Sequence, residues 1–146
     1  MKKLIATILL SLAVILPAMA RNEITTNVNV LPAAAQTMLK KYFPKTKVNH
    51  IKIDKKTFGG RDYDVVMTNG TEVEFDSEGN WKEVNCGINQ VPAGLILKSI
   101  QNYVKNNFKG AKIVSIEVEK DKYELKLSNG LEAEFDRAGN FRKVDY

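Results

Sequence analysis

The sequence predicts an α+β protein in which a helix followed by a four-stranded antiparallel meander is made twice. Three observations carry that prediction. A 22-residue stretch recurs at an offset of 60, two apolar stripes have helical spacing, and most of the remainder alternates with period two. Tyr63 to Val84 pairs with Tyr123 to Val144 without a gap, and ten of the 22 positions are identical: Tyr, Asn-Gly, Glu, Glu-Phe-Asp, Gly-Asn and Val. Upstream, the segment from Phe43 answers the one from Phe108, and Leu31-Pro32-Ala33 answers Val91-Pro92-Ala93. Internal duplication accounts for these matches. The copies are therefore 31–86 and 91–146, joined by 87–90 into one combined domain, 31–146.

The N-terminus reads as a secretory signal peptide over 1–20. Lys2 and Lys3 precede an apolar run from Leu4 to Leu16, and Ala18-Met19-Ala20 supplies a small-x-small cleavage site. The run is shorter than the roughly 20 residues a membrane span needs, so no span is expected after cleavage. The mature chain then begins at Arg21 and is periplasmic. Residues 21–30 are polar without a helical period and read as a loose or extended lead-in. Without Lys2 and Lys3 the chain has 20 basic and 17 acidic residues, too mild a balance to argue for a nucleic-acid partner. Cys86 is the only cysteine, which excludes an intramolecular disulfide and favours a small apolar core residue.

Each helix follows a proline, Pro32 or Pro92, tolerated in a first turn because its missing N–H has no helical partner. Ala35, Met38, Leu39 and Tyr42 form the first stripe, and Pro44 ends it. Ile96, Leu97, Ile100, Tyr103 and Val104 form the second, with Gly110 as a stop. Alternation places strands at about 48–54, 61–67, 71–76 and 80–85, then 113–119, 122–127, 131–136 and 140–145. A two-residue Asn69-Gly70 hairpin would mix the faces. A three-residue Thr68-Asn69-Gly70 loop instead pairs Met67 with Thr71, Val65 with Val73 and Tyr63 with Phe75. The same logic pairs Phe75 with Trp81 and Phe135 with Phe141.

The opposite face then reads as rows. One row is Lys52, Asp64, Glu74, Lys82, balanced in charge, and its counterpart is Glu117, Glu124, Glu134, Arg142, with three acids against one base. The neighbouring rows are His50, Val66, Glu72, Val84 and Ser115, Lys126, Glu132, Val144. These polar residues make a solvated face or a recognition surface. Catalysis finds little support. His50 is the only histidine, so a histidine metal cluster is excluded, and neither His50 nor Cys86 has a catalytic sequence context. The carboxylates at Glu72/Glu74 and Glu132/Glu134 share a wet face with basic neighbours and lack the desolvation a general acid needs. Asp76-Ser77-Glu78-Gly79-Asn80 lacks the ligand-dense spacing of a calcium loop and reads as a turn.

Leu31-PAAAQTMLKKYFP, the repeated Tyr-x-(V/L)-x-(M/L)-x-Asn-Gly-x-Glu-x-Glu-Phe-Asp-x-x-Gly-Asn-(Trp/Phe), and Val91-PAGLILKSIQNYVKNNF resemble the β-lactamase-inhibitor-like, PepSY-like family of exported bacterial proteins. That resemblance spans the whole mature chain. It implies a fold similar to β-lactamase inhibitory protein, with an eight-stranded curved sheet and two helices on one face. It also implies a periplasmic home and a binding or inhibitory role rather than catalysis; no cofactor or metal is expected. The expected function is a module that binds another exported or cell-envelope protein through Lys52, Asp64, Glu72, Glu74, Lys82, Glu117, Glu124, Lys126, Glu132, Glu134 and Arg142. The alternative is binding of a small cationic ligand or divalent ion at the acidic row of the second copy.

Overall fold

The structure is a computed structural model and describes residues 22–146; the expected signal peptide over 1–20 and the cleavage point before Arg21 lie outside the described residues. Nine strands form one open antiparallel sheet in chain order, so each strand lies beside its sequence neighbours. They are β1 Glu23–Thr25, β2 Val48–Lys55, β3 Arg61–Met67, β4 Glu72–Phe75, β5 Trp81–Asn85, β6 Ile113–Val118, β7 Lys122–Leu127, β8 Glu132–Asp136 and β9 Phe141–Asp145. Helix α1, Ala33–Tyr42, precedes β2, and α2, Lys98–Asn107, precedes β6.

The expected eight strands become nine because the lead-in takes the extended of its two expected forms and pairs with β2. Its residues Glu23, Ile24 and Thr25 pair with Ile53, Lys52 and Ile51, and 3₁₀ turns form at Val28–Val30 and at Ala93–Leu95. Three residues are too few to display a period, so backbone pairing to β2 decides the conformation.

The second helix also begins later than Pro92 implied. Leu31-Pro32 and Val91-Pro92 are 60 apart, whereas the helices start at Ala33 and Lys98, 65 apart. Five additional residues in the second half supply the 3₁₀ turn before α2. Leu97 consequently falls outside the packed stripe and is 39% exposed, while Ile96, Ile100 and Val104 are buried.

Both helices pack on the apolar face of the sheet. Ala35, Met38 and Leu39 of α1, with Ile100 and Val104 of α2, join one cluster with Ile51, Val65, Val73, Ile116 and Leu125. Phe75 and Phe135 sit at its centre with no exposed surface. Cys86 belongs to the same cluster, and burial pushes its thiol pKa up. His50 stands on the other face, bonded to Asn49, so the two do not form a dyad.

The hairpins follow the three-residue-loop reading. Tyr63 pairs with Phe75 and Val65 with Val73, the Met67 amide donates to the Thr71 carbonyl at 2.8 Å, and Gly70 has φ +85°. Phe75 pairs with Trp81, and Phe135 with Phe141. The Asp76 segment is a turn that satisfies itself. Asp76 Oδ1 accepts from the Glu78 and Asn80 amides at 2.9 Å each, and Oδ2 accepts from Asn80 Nδ2 at 3.1 Å. Burial pushes the Asp76 carboxyl up, but these hydrogen bonds outweigh it and leave the pKa below the usual value. The turn docks tightly against α1: a Cβ on Gly79, at φ +87°, would lie 2.8 Å from Pro32 Cβ and 2.9 Å from the Ala35 amide.

Candidate functional site

The face of the sheet away from the helices carries the polar rows, and bulges decide which residues stand in them. In β5, Trp81 pairs with Phe75 and Val84 with Val73, while Glu83 stands opposite Glu74. An extra residue, Lys82, lies between two inward-facing apolar side chains, so Lys82 and Glu83 both face outward. The same occurs in β9, where Phe141 pairs with Phe135, Lys143 with Glu134 and Val144 with Ala133. Three expectations are corrected. Glu83 replaces Lys82 in its row, Lys143 replaces Arg142, and Val84 and Val144 turn inward, leaving Asn85 opposite Glu72 and Asp145 opposite Glu132. Strict alternation misses a bulge. The spacing Trp81-x-x-Val84, repeated as Phe141-x-x-Val144, was the available signal.

The corrected row crosses the molecule. Lys52 pairs with Asp64, Asp64 with Glu74, Glu74 with Glu83, Glu83 with Glu117, Glu117 with Glu124, Glu124 with Glu134 and Glu134 with Lys143. Six carboxylates thus occupy consecutive strands, with a lysine at each end. Sequence parity found all of them except Glu83, and Glu83 is the residue that joins the acids of the two halves. The second row holds Glu72, Asn85, Ser115, Lys126 and Glu132 in cross-strand register.

Neutralisation is uneven along this ladder. Lys82 Nζ donates to Glu74 Oε1 at 2.9 Å despite lying out of register, and also faces Asp62 Oδ2 at 3.4 Å. Lys52 lies 3.9 Å from Asp64. Lys122 reaches Glu124 at 3.1 Å and Glu134 at 3.0 Å, and Lys143 adds a 3.4 Å pair to Glu134. Arg142 turns aside to Asp121 at 3.1 Å. The opposed Glu83 and Glu117, by contrast, have no basic nitrogen within 4.0 Å among the described residues.

The titration of the row follows. Burial raises the Glu83 pKa, and Glu117 and Glu74 raise it further. Burial also raises that of Glu117, with Glu119 and Glu124 adding to it. Asp64 is raised by burial, then by Glu74 and Asp54. At the far end, the hydrogen bond from Lys122 holds Glu134 below its ordinary value. Negative potential therefore concentrates at the junction of the halves rather than in the second half alone. A shallow concavity of about 340 Å³ adjoins it, lined by His50, Lys52, Asp64, Val66, Glu72, Glu74 and Glu83. Among the described residues no three His, Cys, Asp or Glu side chains converge as a metal centre. No described helix is long and apolar enough to cross a membrane.

Fold and face together define an α+β protein whose single open sheet is packed by helices on one side and lined with charge on the other. The chain belongs to the family described as "putative beta-lactamase-inhibitor-like, PepSY-like", which matches residues 18–59 and 61–143. Solved structures are similar to it, three of them as follows. One, a "putative periplasmic protein of unknown function" from Bacteroides vulgatus, is 44% identical with a TM-score of 0.82, covering 86% of this chain and 100% of that one. A second, also described as a "putative periplasmic protein" from B. vulgatus, is 40% identical with a TM-score of 0.81, covering 88% of this chain and 99% of that one. The third, a "putative calcium-regulated periplasmic protein" from Bacteroides thetaiotaomicron, is 38% identical with a TM-score of 0.80, covering 86% and 97%. No curated protein matches the chain.

Proposed function

We propose that the protein, two copies of one helix-and-meander unit, is a periplasmic, non-catalytic binding module whose charged sheet face receives a basic segment of another exported or cell-envelope protein. One observation carries this reading: Glu83 and Glu117 oppose each other at the junction with no basic nitrogen within 4.0 Å among the described residues, Lys126 and Lys122 offsetting their charge only from farther away. Like charges held opposite one another oppose folding, and a cationic partner relieves that cost only when bound. The family and the periplasmic description of the similar proteins support the location. The lysines at both ends of the row confine the attraction to its centre and disfavour partners of the wrong charge pattern.

The test is calorimetric titration of mature protein with an oligolysine peptide, followed by capture from periplasmic extract at low salt. Glu83→Gln/Glu117→Gln is expected to weaken oligolysine binding by about tenfold and to flatten its salt dependence, as loss of exposed steering charges does. Unchanged affinity in the double variant removes the junction from the site.

A second reading is that a divalent cation takes the basic segment's place. The B. thetaiotaomicron protein, described as calcium-regulated, favours it. Calcium titration followed by melting temperature separates the two. A saturable rise lost in Glu83→Gln supports the ion, and a flat response removes it.

A further inference from the structure

We propose that the tip of the β2–β3 hairpin is a membrane-docking loop that seats Phe58 among the headgroups of an anionic bilayer. The proposal is independent of the binding face. The hairpin is where the two halves differ most in the sheet. Val48 and Ile113, which open β2 and β6, are 65 apart, but Tyr63 and Tyr123 in the returning strands are 60 apart. The first half therefore has five more residues here. Its counterpart closes tightly, with the Glu119 amide donating to the Lys122 carbonyl at 2.9 Å. The longer loop is held by the Lys56 amide on the Gly60 carbonyl at 3.1 Å and the Gly59 amide on the Lys56 carbonyl at 3.3 Å.

What the added residues present is specific. Residues 55–61 read Lys-Lys-Thr-Phe-Gly-Gly-Arg, with three basic side chains and no acid. Phe58 is 100% exposed. It covers no part of the core, so the insertion has no packing role that would account for an aromatic at its tip. The acids around it stand on the hairpin's stems and on β1: Asp54 lies 3.7 Å from Lys52, Asp62 3.0 Å from Lys56 and Glu23 3.6 Å from Lys55, all at the loop's base rather than at its tip. Arg61 has no carboxylate within 4.0 Å among the described residues. An aromatic flanked by basic side chains matches a surface of anionic headgroups over an apolar interior, where aromatics settle at the boundary and cations meet phosphates.

The size of the feature favours a bilayer over a protein pocket. A standard protein interface needs roughly 800 Å² per partner around a cluster of anchors. Phe58 is the only exposed large apolar side chain on this hairpin. A membrane needs only the tip. The acidic row also stays clear. Lys55 pairs with Arg61, and the Lys52–Asp64 pair lies three residues behind it, about 10 Å at the strand rise of about 3.3 Å per residue. That is about one screening length at physiological salt, so the carboxylates do not oppose docking strongly.

The experiment is co-sedimentation of the mature protein with extruded vesicles of phosphatidylglycerol and phosphatidylcholine, against vesicles of phosphatidylcholine alone. Binding to the anionic vesicles only, falling with salt, is expected. Removing one basic side chain near such a surface costs about fivefold, so Lys55→Gln/Lys56→Gln should reduce partitioning by more than that. Phe58→Ala should reduce it severalfold, and Phe58→Trp should show blue-shifted emission when anionic vesicles are added. Phe58→Ala leaves oligolysine binding unchanged, so the docking loop and the binding face fail separately. Equal partitioning by Phe58→Ala and the parent overturns the proposal. So does a dimer, seen by sedimentation without vesicles, that Phe58→Ala dissolves, because the tip would then engage a second copy. Loss of a captured protein in Phe58→Ala, with no vesicle binding by the parent, also overturns it in favour of a protein pocket.

Discussion

At the scale of single residues, Glu83 matters most and was the least visible. Its raised pKa has a definite sign. The folded state holds the proton more tightly than the unfolded chain, so stability falls as pH rises from the ordinary carboxylate value through the raised one, and the same holds for Glu117 and Asp64. Glu83→Gln is therefore expected to raise the melting temperature at neutral pH, by an amount matching a cross-strand pair of about 0.2–1 kcal/mol. The gain should vanish below about pH 4, where the parent's carboxylate is also protonated. A lower melting temperature at pH 7 would mean that Glu83 has a stabilising partner. Glu124 and Glu134 behave differently because they share Lys122, so neutralising them is expected to destabilise. The core residues were plainly legible. Phe75 and Phe135 recur at the offset of 60 on the apolar parity of their strands, and both are fully buried. Phe75→Ala and Phe135→Ala should each cost about 3–5 kcal/mol in denaturant unfolding.

At the scale of elements, turns proved easier to read than strands. Asp76 and Asp136 bracket two equivalent turns, and their Oδ1 atoms each accept from two amides. Hydrogen bonds hold both carboxyls below their ordinary pKa. The stability they confer is present above the unfolded value of about 3.9 and is lost as pH falls through the depressed one. Asp76→Ala should cost about 1 kcal/mol at pH 7 after allowing for solvent screening, and almost nothing in strong acid. Strands β5 and β9 were misread because alternation assumes a regular pleat, whereas each contains one additional outward-facing residue. Deleting Lys82 tests that account. Trp81, Glu83 and Val84 would then alternate regularly, with both apolar side chains still inward. The variant is expected to fold with Val84 protected in amide exchange, losing only the pairs that Lys82 makes with Glu74 and Asp62. Exposure of the Val84 amide would contradict the bulge.

At the scale of the molecule, an α+β chain with two helices and one antiparallel sheet was expected, and the ninth strand was not. Each set of four strands follows its own helix, but Glu83, Val84 and Asn85 of β5 stand in antiparallel register with Glu117, Ile116 and Ser115 of β6. Backbone hydrogen bonds thus run unbroken through the joint, and Cys86 and Val91 add bonds to Val114 and Ile113 at 2.8 Å each. Tight turns gave the order of strands within each set of four, whereas the pairing of β5 with β6 was implied only by the family resemblance. A single cooperative unfolding transition is expected, with fluorescence and circular dichroism curves that coincide; two resolved transitions would show the halves unfolding separately. The chain-order arrangement of the sheet has a further consequence for how the protein is made. No strand must wait for a distant one, and none is inserted between two already placed. Pairing between sequence neighbours closes short loops, except where α1 and α2 lie between β1 and β2 and between β5 and β6, and such local pairing is fast. A chain delivered N-terminus first can therefore lay down its sheet one strand at a time in order of arrival, exposing only one growing edge as it does so.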